Sequence, residues 1–420
     1  MLNLVYAVLI CILIFVYAWS FYNLPIIAAG IKHLYKSKRE DEQTCSVEEV
    51  SLPFFSIVVP VKNEEKVIGR LLDALSRLDY PLDKKEVIIV EDGCTDKTVD
   101  ICLEHAMKPD ENVKVLHKQS SDGKPSALNF GIRHARGEIV GIFDADSVPA
   151  ADALLNVGKY FEDSDVAAVQ GRIASINPEE NMLTKFLSYE EAAWCRVYLQ
   201  GKDVLRLFVH LKGSCQFIRH DILEALEGFD ENILSEDMEI SARLTEKDYA
   251  IRYAPDVQSW QESAVDLKQL FKQRIRWMRG TMEVAFKYGR LMARPCRKNI
   301  DTEVTLLAPF VLIVSLVTYL SAFYTFFAPF PLGFLWQIAM QFTGVVATLT
   351  LLLCGLALVY ASKPRKISSL FWLPFIYFYL SLQAFIALYA LLLILMRRPR
   401  RWVKTEKTGS ISTSTSIGET

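Results

Sequence analysis

Two carboxylates, Asp144 and Asp146, close a short β-branched run at residues 139–143. A buried strand with a carboxylate pair two positions apart is the expected local structure, both side chains facing one way if the backbone stays extended. Converging carboxylates repel unless a cation lies between them. Oxygen-only ligands suit Mg²⁺ or Mn²⁺, which commonly share coordination with a substrate phosphate. A metal–diphosphate site is therefore the chemistry these residues suggest, against the plainer alternative of a solvated turn that ends a strand.

The elements before this pair alternate. Residues 55–59, 86–90 and 113–117 read as strands, and residues 64–78, 95–108 and 124–135 as helices. Such alternation predicts a parallel sheet with helices on both faces and ligands beyond the carboxyl ends of the strands. The loops there are polar. The first strand runs into Pro60-Val61-Lys62-Asn63-Glu64, and the second into Glu91-Asp92-Gly93, where glycine allows a close turn and carboxylates face a ligand. Asp92 could accept hydrogen bonds from a base or ribose, while Thr95 or Asp96 could simply cap the next helix. Lys124, opening a helix after Asp122-Gly123, stands where a phosphate would meet a cation and a helix N-terminus together; a solvated lysine is the alternative.

The 420-residue chain is 51% hydrophobic with net charge −2, which points to no particular partner. The distribution of charge says more. Residues 1–31, 304–328, 334–361 and 370–396 contain no charged residue, and each is long enough for a membrane-crossing helix. The basic residues Lys32, Lys36, Lys38 and Arg39 place the following domain on the cytoplasmic side of a cell membrane. The N-terminus lacks the basic start and cleavage pattern of a signal peptide. Three later spans would put the C-terminus outside, whereas Arg397, Arg398, Arg400, Arg401 and Lys404 favour inside. Eight cysteines without paired spacing read as reduced thiols.

Residues 59–65, Glu91-Asp92-Gly93, residues 123–129 and Asp144-Ala145-Asp146 come in the order of a family 2 glycosyltransferase, and the chain resembles that family. The resemblance continues through Gly213-Ser214-Cys215-Gln216, Gly228-Phe229-Asp230, Ser235-Glu236-Asp237 and Gln273-Arg274-Ile275-Arg276-Trp277, and covers roughly residues 53–280. It implies an α/β GT-A domain, with a mixed, mostly parallel sheet and helices on both faces, joined to an α-helical transmembrane region. The expected divisions are an N-terminal helix at 1–36, a linker at 37–52, the catalytic domain at 53–262, interface helices at 263–303, three membrane helices at 304–396 and a tail at 397–420. Gln-x-x-Arg-Trp with membrane spans resembles the processive branch, which includes poly-N-acetylglucosamine, chitin-oligosaccharide, hyaluronan and cellulose synthases.

By that resemblance Asp92 holds the uracil, with Pro60, Glu64 and Glu91 around it; Asp144 contacts the uridine part and shares the metal with Asp146; and Lys124 assists at the diphosphate. Asp237 is the family's base, although Glu236, Asp237 and Glu239 alone would read as an acidic helix start. Gly213, Ser214, Cys215 and Glu236 are expected on the acceptor side, Cys215 otherwise being a buried thiol. Residues 266–290 form an amphipathic pattern expected on the membrane surface, basic face toward lipid head groups. Gln273, Arg276 and Trp277 share one helix face. That face is expected to close the pocket, with Gln273 and Arg276 toward the donor and Trp277 on the acceptor, or else to serve as a membrane anchor.

The favoured expectation is an inverting, Mg²⁺- or Mn²⁺-dependent enzyme that extends a β-linked polysaccharide from a UDP-sugar, UDP-N-acetylglucosamine first, and passes it through the bilayer. The alternative is transfer of one sugar to a lipid carrier or glycolipid. A nucleotide-sugar-binding transporter or receptor ranks third, because Asp237 would then have no task. The expected partners are donor, acceptor and lipid bilayer, with room for an accessory subunit and no nucleic acid.

Overall fold

The computed structural model describes residues 2–40, 52–108, 112–316, 355, 367–400 and 406–409. Strands β1 (Phe55–Val61), β2 (Lys85–Glu91), β3 (Val113–His117) and β4 (Ile139–Ile142) alternate with helices α2 (Ile68–Ser76), α3 (Thr98–Ala106) and α4 (Lys124–Ile132), following α1 (Leu2–Glu40). β1 is apolar but for Ser56, β2 is apolar over residues 87–90, and both are buried, as strands covered on both faces are. Their polar exceptions are paired: Ser56 Oγ donates to Glu86 Oε1 at 2.7 Å, and Lys114 Nζ meets Glu86 Oε2 at 2.7 Å.

After β4 the order changes. β5 (Val148–Pro149), α5 (Ala153–Tyr160) and β6 (Val166–Ser175) lead to α6 (Met182–Ala193), a π-helical stretch Trp194–Leu199 and α7 (Gln200–Val204). β7 (Gln216–Arg219), α8 (His220–Ala225), α9 (Glu236–Glu246) and β8 (Ala250–Gln261) complete an eight-stranded sheet of order β3-β2-β1-β4-β7-β6-β8-β5. β7 runs antiparallel to both β4 and β6, so the sheet is mixed. One core packs Ile57 and Val59 against Leu71, Leu75 and Val157; the other packs Val58 and Ile88 against Leu128, Ile240 and Leu244. Neighbouring β1 residues thus point to opposite faces, each covered by helices. The expected fold class is observed for this domain.

α10 (Leu267–Tyr288) begins at Asp266, whose side chain accepts the Gln269 N–H, and is followed by α11 (Arg297–Leu306), α12 (Ala308–Leu316) and α13 (Leu373–Leu395). The expectation that α10 turns its basic face to lipid is corrected. Arg279 is buried, pairs with Glu283 at 3.0 Å and donates to the carbonyls of Arg398 and Pro399; Arg274 pairs with Glu190 at 2.6 Å; Lys287 pairs with Asp230 and Glu239, each at 2.8 Å. Arg274 and Lys287 thus tie α10 to the domain and Arg279 ties it to the segment after α13, while Lys268, Lys272 and Lys287 stay exposed.

Among the described residues one helix, Leu13–Tyr35, is long and apolar enough to cross a membrane, or two if α11 and α12, bent by 47°, form one span. Most of the expected segments at 304–328 and 334–361 lies outside the described residues, while 370–396 corresponds to α13. α1 docks closely on the domain. A Cβ at Gly30 would fall 1.9 Å from the Val197 carbonyl oxygen, and one at Gly201 would fall 2.0 Å from that of Ile26. Tyr198 donates to Asn23 at 2.7 Å, and Tyr22 to Asp301 at 3.0 Å. Asp301 also receives Lys202 Nζ at 2.9 Å and the Phe208 N–H at 2.8 Å, all buried at the junction of α1, α7 and α11.

Candidate active site

The carboxyl ends of β1, β2 and β4 and the start of α9 open into one cavity of about 220 Å³. It brings together Pro60, Glu64, Asp92, Lys124, Asp144, Asp146, Gly213, Glu236, Asp237, Gln273, Arg276 and Trp277, residues from both halves of the chain.

On the β2 side, Asp92 is buried. Its Oδ2 accepts from Ser121 Oγ at 3.0 Å and from the Gly123 N–H at 3.3 Å, whereas Oδ1 has no hydrogen-bond partner among the described residues and faces the Lys118 ammonium at 3.8 Å. A desolvated acceptor beside a cavity is a place for a ligand N–H. Glu91 does not line this cavity: it accepts the Cys94 N–H and contacts His117, so it shapes the turn.

Lys124 opens α4 and reaches inward. Its Nζ lies 2.7 Å from Asp144 Oδ1, 2.9 Å from the Gly213 carbonyl oxygen and 3.2 Å from Glu236 Oε1. Burial alone would lower its pKa, but Asp144 and Glu236 outweigh that and hold the ammonium above the ordinary lysine range. Gly213 has φ +77°, and a Cβ there would stand 3.3 Å from Asp237 Oδ2. Glycine thus lets the chain pass beneath the carboxylate. Burial, and then the charge of Glu236, pushes the Asp237 carboxyl up to about 7 against the pull of Lys124 and Arg276. Glu239 faces the other way, toward Arg243, Lys287 and Tyr288.

Asp144 and Asp146 do not sit on extended backbone as the sequence suggested. They occupy a turn in which the Ser147 N–H donates to Asp144 O at 3.0 Å, and their surroundings differ. Asp144 Oδ2 accepts from Gln261 at 3.3 Å; Asp146 Oδ2 accepts the Glu262 N–H at 3.1 Å and meets Lys407 Nζ at 2.6 Å. No cluster of three or more metal-ligating side chains occurs among the described residues. Two carboxylates on one cavity suit a hard cation that takes its other oxygens from a diphosphate, and the Lys407 ammonium shows that positive charge is accommodated at Asp146.

Ser214 and Cys215 lie behind the cavity. Ser214 Oγ accepts the Asp144 N–H at 3.1 Å, and Cys215 is fully buried in the core, with burial pushing its thiol upward in pKa. Sequence reasoning missed several lining residues: Glu191, Lys212, Gln261, Glu262, Arg274 and Lys407. Lys407 has company, because the Thr408 N–H donates to Glu262 Oε2 at 3.0 Å and Lys407 Nζ to the Glu262 carbonyl oxygen at 3.0 Å. Lys407 ends the basic run 397–407 that precedes the Ser/Thr-rich stretch, a run read only for its side of the membrane; Glu191 and Lys212, 21 positions apart, offered no cue. Trp277 is partly exposed at the mouth, with the Arg274 guanidinium 4.6 Å from its ring centroid.

The family model described as "Glycosyltransferase like family 2" matches residues 53–280. A beta-monoglucosyldiacylglycerol synthase of a Nostoc species is 31% identical over 86% of this chain and 78% of its own length. A poly-beta-1,6-N-acetyl-D-glucosamine synthase of Staphylococcus epidermidis is 28% identical over 55% of each. Among solved structures, a mannosyltransferase of Pyrobaculum calidifontis, in complex with GDP-Man and Mn²⁺, is similar in fold, with TM-score 0.58 and 23% identity over 93% of this chain and all of that one.

Proposed function

Because this chain belongs to glycosyltransferase family 2, we propose that it transfers a sugar, with inversion, from a UDP-sugar to an acceptor hydroxyl at a membrane surface. The arrangement of Lys124, Glu236 and Asp237 around Gly213 carries this reading. A cation lies on the donor side, and a carboxylate of elevated pKa lies on the other. Asp92 Oδ1 would accept the single N–H of a uracil edge. Lys124, at the N-terminal end of α4, and Arg276 would receive the diphosphate. Asp144 and Asp146 would hold Mg²⁺ or Mn²⁺, which supplies charge neutralisation at the diphosphate.

In the reaction, an acceptor oxygen forms its bond to the sugar C1 while Asp237 takes the hydroxyl proton. The bond from C1 to the diphosphate oxygen breaks, and its electron pair leaves with UDP. Lys124 steadies the charge that grows there.

Similarity over 86% of the chain to a glycolipid synthase favours a lipid-anchored acceptor and a single transfer. The second reading, processive extension of a β-linked polysaccharide, is supported by Gln273, Arg276 and Trp277 on the cavity wall and by similarity to the polysaccharide synthase. The test is release of the nucleoside diphosphate, UDP or GDP, by the purified protein in lipid with Mn²⁺ or Mg²⁺ across UDP-glucose, UDP-N-acetylglucosamine and GDP-mannose. Products are then partitioned against organic solvent and sized. A short extractable product supports the glycolipid reading, a long water-soluble ladder supports the second, and dependence on GDP-mannose alone would overturn the UDP assignment.

A further inference from the structure

The same cavity is also lined by Ile173, Ala174, Leu187, Glu191 and Lys212. Among these, Glu191 and Lys212 face each other. Lys212 Nζ contacts Glu191 Oε1 and lies 3.6 Å from Cys195 Sγ, with 16% and 27% of the Lys212 and Glu191 side chains exposed. Their placement is built in. The Lys212 N–H donates to Gln170 Oε1 at 2.7 Å, fixing the residue before Gly213, the position that underlies Asp237. Glu191 sits in the last turn of α6, directly before the π-helical stretch, a distortion that often marks functional sites.

Holding a charge pair away from bulk water costs desolvation that a hydrophobic pair would avoid. Cys195, which donates to Glu191 Oε1 at 3.0 Å, belongs to an apolar core cluster, so the site could have been apolar here too. A carboxylate beside an ammonium is, however, a good match for two neighbouring hydroxyls, one donating and one accepting. Leu187 and Ile173 offer the apolar contact that the ring face of a sugar uses.

Resting on the glycosyltransferase reading of this site, we infer that Glu191 and Lys212 form an acceptor subsite that grips two adjacent hydroxyls of a saccharide, leaving a third hydroxyl at Asp237. The acceptor therefore already carries a sugar, whether at the head of a glycolipid or at the end of an oligosaccharide. Diacylglycerol, with its single hydroxyl, would be a poor acceptor.

The test uses the full chain in lipid vesicles, with the donor that supports UDP release and three acceptors: a glucosyl-diacylglycerol, a water-soluble disaccharide and diacylglycerol. Glu191→Gln and Lys212→Met are each expected to raise the KM for sugar-bearing acceptors by about tenfold, the loss of a charge-assisted hydrogen bond. The fall in kcat should be smaller, and UDP affinity by calorimetry should be unchanged. Ala174→Leu, which adds bulk to the same cavity wall without removing a charge, should raise the same KM and covers the case in which a charge variant fails to fold. Preference between the two sugar-bearing acceptors identifies the source of the saccharide. Equal use of diacylglycerol, or an unchanged acceptor KM in the variants while UDP is released, overturns the subsite alone. Absence of UDP release from the unmodified protein with every donor overturns the reading on which it rests.

Discussion

Lys124 Nζ lies 3.2 Å from Glu236 Oε1 while holding Asp144 Oδ1 at 2.7 Å, so one ammonium answers two carboxylates. Part of the Glu236 charge is left to act on its neighbour Asp237, whose carboxyl rises to about 7. A base works only when ionised, so kcat/KM should climb through an acid limb near pH 7 and level off above it. Glu236→Gln removes one cause of the rise and should move that limb to lower pH. A limb that stays in place would show that Glu236 does not set it.

The same elevation affects folding. Asp237 binds its proton more tightly folded than unfolded, so the stabilisation it provides is complete below the ordinary carboxylate range and is lost as pH rises through about 7. Asp237→Asn should therefore be inactive, yet melt a few degrees higher than the unmodified protein at pH 8. Below about pH 4, where the unfolded carboxyl is protonated as well, the two should melt nearly together. Thermal melts at both pH values in detergent decide this, and a lower melting point for the variant at pH 8 would contradict it.

Gly213 combines φ +77° with a neighbourhood in which a Cβ would stand 3.1 Å from Lys124 Nζ and 3.3 Å from Asp237 Oδ2. Gly213→Ala should cost about 1 kcal/mol or more in stability. By displacing the base, it should also reduce kcat by about a hundredfold. Steady-state kinetics beside a thermal melt would separate the two effects.

Lys202 and Asp301 form a fully buried pair at 2.9 Å. Lys202→Met would leave Asp301 without its cation and should destabilise the protein by about 3–5 kcal/mol. The double variant Lys202→Met with Asp301→Asn should recover much of that loss. Unfolding midpoints for the single and double variants measure the coupling, and simple additivity would argue against it.

Lys407 meets Asp146 at the oxygen a divalent cation would share. Lys407→Ala should lower the Mn²⁺ concentration that gives half-maximal UDP binding, read from UDP calorimetry across a metal titration. An unchanged midpoint would mean that Lys407 and the metal do not compete.

The half of the sheet from β1 to β4 is legible in the sequence because β1, β2 and β4 are buried on both faces and appear as short runs of Ile and Val, with the edge strand β3 spaced between helices by the same alternation. β6, β7 and β8 mix strand directions and follow no such alternation, so only motif order pointed to them. Site residues held by a local turn, such as Asp92 and Lys124, could be anticipated from their positions. Glu91 carries the same kind of side chain one residue from Asp92, yet it is turned into the loop by the Cys94 N–H. Two cations of α10 show a related effect: a helical pattern gives the spacing of Arg274 and Lys287, but the carboxylates that draw them inward, Glu190, Asp230 and Glu239, come from distant segments.

The close backbone approaches of Gly30 to Val197 and of Gly201 to Ile26 seat α1 directly against the catalytic domain. With α1 seated in a bilayer, the mouth beside Trp277 would keep a constant height above the lipid. An acceptor anchored in the same leaflet would then find it by lateral diffusion in two dimensions. Turnover should scale with the acceptor's mole fraction in the membrane, and diluting the vesicles at fixed lipid composition should leave it unchanged.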